Sequence, residues 1–75
     1  MSAQLVDEVV EIVRSVGRLG SLGADDDFYD HGLSSMSSLS LMIEIEGRFD
    51  VVLDDDAFLS CRTAQSLADL VALQR

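Results

Sequence analysis

The 75-residue chain has no proline, no tryptophan and no lysine, and a single cysteine. The lack of proline leaves helix interiors unbroken, and with Ala, Leu, Val and Met plentiful it favours helices joined by short connections. One thiol, Cys61, excludes an internal disulfide framework. No basic segment followed by an apolar run opens the chain, and no long apolar stretch follows, so neither a signal peptide nor a membrane span is expected. The sequence reads as a soluble, cytoplasmic and monomeric protein. Paired catalytic carboxylates in a credible pocket, a metal-ligand cluster and a His-based triad are all missing, which argues against an enzyme.

What is present is acidity. Fourteen acidic residues stand against five arginines, for a net charge of −9. Such a surface repels phosphate backbones and anionic lipid, which argues against nucleic acid and membrane as partners. It attracts basic protein surfaces and speeds their encounter. Apolar residues make up 48% and charged residues 25%, the balance of a folded domain rather than a disordered tail. The length allows one domain with a thin core.

Leu5, Val9, Ile12, Val13 and Val16 recur at helical spacing, with Asp7, Glu8, Glu11 and Arg14 on the other face, which predicts a first helix over about 4–16. Gly17, Gly20 and Gly23 end it and open a loop of about 18 residues, long for so small a domain and therefore a candidate functional segment. Phe28 and Leu33 are expected to pin this loop to the core. A second helix is predicted from Ser34 or Ser35 to about Arg48, either serine serving as N-cap. Phe49 to Leu53 form an apolar-rich link, Asp54, Asp55 and Asp56 cap a short third helix, and Thr63 caps a last helix carrying Ala64, Leu67, Ala68, Leu70 and Val71. The sum is an all-α fold, a small antiparallel four-helix bundle of three main helices and one short one, with a long loop between helices one and two.

The second helix has two apolar faces. At 100° per residue Leu41, Met42, Ile45 and Phe49 share one sector, and Met36, Leu39 and Ile43 share another more than 100° away. A bundle this small buries one stripe fully, so the second set reads as a partly exposed strip on which another protein docks. By pattern alone the two serines before this helix are interchangeable caps, although the amides and dipole of a first helical turn do stabilise an anion.

The register Phe28, Asp30, Gly32, Ser35, Met36, Leu39, Leu41, Ile45 and Phe49 resembles the acyl carrier protein family, including the peptidyl carrier domains of modular synthetases. Their signature places a Phe in the loop, then Asp-x-Gly-x-Asp-Ser-Leu, then an apolar-periodic helix closing on Phe. Asp54-Asp55-Asp56-Ala57 looks like the family's acidic entry to its third helix, and Thr63-Ala64-Gln65-Ser66-Leu67-Ala68 like its last helix, so residues 1–75 are expected to form one carrier domain.

The resemblance implies a covalent 4'-phosphopantetheine arm, moved from coenzyme A by a phosphopantetheinyl transferase onto Ser35. The thiol at its tip holds an acyl or aminoacyl cargo as a thioester. Further implied partners are a cargo-loading ligase or acyltransferase and downstream synthase or transferase enzymes, met through Ser34, Met36, Leu39, Ile43, Glu44 and Glu46. The carrier itself performs no chemistry and raises the local concentration of a tethered intermediate. Two departures stand out: Ser34 replaces the usual Asp before the modified serine, and Ser40 replaces a common acidic residue. They suggest specialised metabolism, polyketide, nonribosomal peptide or aminoacyl-carrier, rather than fatty-acid synthesis. The competing reading is an acidic, non-catalytic interaction module that uses the apolar strip alone.

The remaining polar residues carry less. His31 reads as a surface loop residue and Cys61 as a plain, partly buried thiol. Asp25, Asp26 and Asp27 do not fit the ligand spacing of an EF-hand, so no metal site is expected.

Overall fold

Residues 3–74 are described by a computed structural model. The apolar periodicities become four helices: α1 (Ala3–Gly17), α2 (Ser35–Phe49), α3 (Asp55–Leu59) and α4 (Ala64–Gln74). α1 packs against both α2 and α4, and α3 against α4. α2 runs back along α1: its entry residue Leu33 lies against Gly17 at the end of α1, while Arg48 in its last turn is 3.8 Å from Glu8 near the other end.

The starts of α2, α3 and α4 are each explained by a cap. The Ser34 hydroxyl accepts from the Ser37 amide, the Asp54 carboxylate from the Ala57 amide at 3.1 Å, and Thr63 Oγ1 from the Ser66 amide at 3.1 Å. Phe49, expected in the link, instead closes α2. The helix stops one residue later at Asp50, whose left-handed backbone (φ 55°) sends its N–H back to the Glu46 carbonyl.

The core is filled by Val9, Ile12 and Val13 of α1, Leu41 and Ile45 of α2, Phe58 of α3, and Ala64, Leu67, Ala68 and Val71 of α4. Phe28 and Leu33 join them, so the long loop is anchored at two points by side chains that are buried. Burial of one such side chain contributes about 1.5–3 kcal/mol, enough to hold a segment that has little regular backbone pairing of its own.

Between these anchors the loop satisfies its backbone locally. The Leu33 amide donates to the Phe28 carbonyl and the Gly32 amide to the Tyr29 carbonyl. Gly32 takes φ +118°, a conformation that side chains with a Cβ rarely adopt. This sharp reversal delivers the chain to Ser34 in the extended conformation that an N-cap needs.

Candidate functional site

The site is the junction of the long loop with the first turn of α2. Ser34 and Ser35 are both exposed there, but their side chains are not equivalent. The Ser34 hydroxyl accepts from the Ser37 amide at 3.1 Å and donates to the Ser37 hydroxyl at 3.1 Å. It is engaged in holding the helix start. The Ser35 side chain makes no hydrogen bond among the described residues, and only its carbonyl is used, by the buried Ser38 hydroxyl at 2.6 Å. Ser35 is the first residue of α2, so its free hydroxyl stands over the amides and the positive dipole end of a 15-residue helix, where a phosphodiester is electrostatically favoured.

Along α2 from this serine, the two apolar faces separate. Leu41 and Ile45 are fully buried, whereas Met36 is 89% exposed, Leu39 60% and Ile43 59%. Glu44 is exposed beside Ile43, and both line a broad groove with Glu11, Ile12 and Val16 of α1. Glu46 is engaged elsewhere: its carboxylate accepts from the Leu53 amide at 2.9 Å and holds the link to α3. The strip expected from the sequence is thus brought together at Met36, Leu39, Ile43 and Glu44, with Glu46 facing the link instead.

Two features were not foreseen. Leu59 of α3 is exposed and, with Leu39, Met42, Phe58, Ser38 and Asp55, lines a groove of about 170 Å³ that begins one turn beyond Ser35. The one sequence signal for it is an apolar residue at the end of a five-residue helix. The other is Arg62, whose Nε donates to Asp27 Oδ2 at 2.6 Å across 35 positions of sequence. The same guanidinium lies 5.1 Å from the centre of the Tyr29 ring. The Arg62 hydrogen bond holds the Asp27 carboxyl below its ordinary value, helped by the amides of Asp30 and Tyr29 and opposed by desolvation.

The acidic loop is structural in its details. Asp26 accepts from the Gly23 amide at 2.7 Å, and Asp27 Oδ1 from the amides of Tyr29 and Asp30. Among the described residues no group of three His, Cys, Asp or Glu side chains is arranged to hold a metal ion. His31 lies at the surface with Nδ1 3.1 Å from the Asp27 carbonyl oxygen. Cys61 is buried, and burial pushes its thiol pKa up.

An exposed serine hydroxyl with no hydrogen-bond partner among the described residues, at a helix start, is chemically open to covalent attachment. The family model of the phosphopantetheine attachment site matches the chain over residues 7–71. The chain belongs to the phosphopantetheine-binding family. The family attaches 4'-phosphopantetheine covalently, and its carrier domains are non-catalytic shuttles that bear this cofactor and meet a phosphopantetheinyl transferase and partner enzymes. No curated protein and no solved structure matches the chain. Among the described residues no helix of this carrier is long and apolar enough to cross a membrane.

Proposed function

We propose that Ser35 carries the phosphopantetheine arm and that the exposed strip of α2 receives the enzymes that load and unload it. The observation that carries the assignment is the division of labour between the serines: Ser34 is engaged as the cap, and Ser35 is exposed with a free hydroxyl on the first turn. In arm transfer the Ser35 oxygen bonds to the phosphorus of the pantetheine-bearing phosphate of coenzyme A. The bond from that phosphorus to the bridging oxygen breaks, the hydroxyl proton passes to a base of the transferase, and adenosine 3',5'-bisphosphate leaves. When bound, the arm supplies a terminal thiol that holds cargo as a thioester. The chain's own part is to present the hydroxyl, neutralise the phosphodiester at the helix start and offer Met36, Leu39, Ile43 and Glu44 to partners.

A small cargo, acyl or aminoacyl, fits this carrier better than a long acyl chain. Phe28, Leu41, Ile45, Leu67, Val9, Val13 and Val71 fill the interior, and the opening nearest Ser35 is the groove of about 170 Å³ at the surface. Ser34 and Ser40 remove two acidic positions from the docking face, which supports a dedicated partner set in specialised metabolism over fatty-acid synthesis. The exposed strip by itself also favours the simpler reading of an acidic interaction module. The two are separated by intact-mass measurement after incubation with coenzyme A, Mg²⁺ and a broad-specificity transferase. The wild-type chain should gain one arm of about 340 Da and Ser35→Ala none. An arm that still attaches to Ser35→Ala overturns the assignment, and a chain that gains none leaves the interaction module.

A further inference from the structure

The loop that leads to Ser35 is tied to the segment before α4 by backbone hydrogen bonds and by one charged side chain. Arg62 sits in the link between α3 and α4, and its Nε reaches Asp27 Oδ2 at 2.6 Å. The Arg62 carbonyl accepts from the Phe28 amide at 2.8 Å, and Asp27 and Thr63 form an isolated antiparallel bridge. Asp27 in turn organises the segment that follows it. Its Oδ1 accepts from the amides of Tyr29 and Asp30, and its carbonyl from the amide of His31 at 3.1 Å. The Gly32 and Leu33 amides then close on Tyr29 and Phe28, and the next residue is the Ser34 cap. Hydrogen bonds therefore lead from the Arg62 guanidinium through Asp27 into the turn 27–33, which runs directly into the Ser34 cap.

We propose that Arg62, acting through Asp27, is a positioning residue for arm transfer: it fixes the orientation of the turn 27–33 and with it the Ser35 hydroxyl. The inference rests on the Ser35 reading above. Phe28 and Leu33 already hold the loop on the core, so Arg62 is not needed for the loop to be present. The pair is half-exposed, and exposed ion pairs add little to global stability. Its contribution is alignment, and alignment of a nucleophile is read in rate rather than in folding.

The experiment measures arm loading by intact mass as a function of carrier concentration, well below the melting temperature. Its carriers are the wild type, Arg62→Gln, Arg62→Lys, Asp27→Asn and the double variant Asp27→Asn/Arg62→Gln. Asp27→Asn keeps an oxygen for the Tyr29 and Asp30 amides and loses the charge and the acceptor that faces Arg62, so it remains informative if Arg62→Gln folds poorly. The kcat for loading is expected to fall about fivefold in Arg62→Gln and Asp27→Asn, with KM for the carrier little changed. Arg62→Lys should recover most of the loss, and the double variant should be no slower than either single one. Folded single variants that load at the wild-type kcat overturn the proposal, as do losses that multiply in the double variant. Failure of the parent reading looks different: wild type takes no arm, or Ser35→Ala still takes one, and the positioning role falls with it.

Discussion

The Ser34 hydroxyl accepts a hydrogen bond from the Ser37 amide at 3.1 Å, a contact that Ser35 beside it does not make. Removing it and removing the neighbouring hydroxyl should have opposite signatures. Ser34→Ala deletes an N-cap, which costs about 1 kcal/mol. In a domain this size that lowers the melting temperature by roughly 4–8 °C. The variant should still take the arm. Ser35→Ala should melt near the wild type and take none. Thermal melts and intact masses of the two variants check the assignment, and arm loading lost in Ser34→Ala but kept in Ser35→Ala would reverse it.

The sequence showed the two faces of α2 because helical geometry alone separates Leu41 and Ile45 from Met36, Leu39 and Ile43, and packing then buries one set. The caps at Asp54 and Thr63 were legible for the same local reason, and Phe28 and Leu33 as the apolar members of a polar loop. Which serine caps α2 was not legible from the residues, since either can cap until the backbone at each is known; the structure gives the cap to Ser34, and the family register points to Ser35 for the arm. Arg62–Asp27 was not legible at all, because nothing local links positions 35 apart. Glu46 was grouped with the docking residues, but its carboxylate is engaged by the Leu53 amide, a contact set by how the chain turns after Asp50.

Leu39 and Ile43 are about 60% exposed, so charges placed on them should reach partners before they reach the fold. Leu39→Asp and Ile43→Asp are expected to stay within about 0.5 kcal/mol of wild-type stability. They should lower kcat/KM for transfer to a partner about tenfold or more, the scale of losing a docking anchor. Leu73→Asp, at a still more exposed apolar position outside the strip, is the control and should have no effect. Equal losses at all three positions would mean that general acidity, not the strip, matters.

Acid should reveal the Asp27–Arg62 pair. The Arg62 hydrogen bond depresses the Asp27 carboxyl below its usual 3.8. A carboxyl depressed in the folded state contributes stability that is present above its unfolded value and is lost as pH falls through its folded value. Any advantage of wild type over Arg62→Gln in urea midpoint should therefore be constant near neutrality and shrink as pH drops below about 4. Urea melts of both proteins from pH 7 down to about 2 test this, since effects of the other carboxylates largely cancel in the difference.

Cys61 and the arm thiol should be distinguishable by rate. The Cys61 side chain is 7% exposed and its Sγ faces the Ala57 carbonyl at 3.5 Å. Burial raises its pKa, with the nearby Asp69 charge adding to the rise and Ser66 opposing it. Only a thiolate attacks an alkylating reagent, so at pH 8 the arm-free chain should label slowly in the folded state and rapidly once denatured. A solvent-exposed arm thiol has an ordinary pKa near 8.5, about a quarter ionised at that pH. The arm-loaded chain should therefore show one fast equivalent followed by one slow one. Cys61→Ala should abolish the slow phase and leave the fast phase intact, and Ser35→Ala treated with the transferase should do the reverse. A fast equivalent in the arm-free folded chain would mean that Cys61 opens to solvent far more often than its place in the core implies.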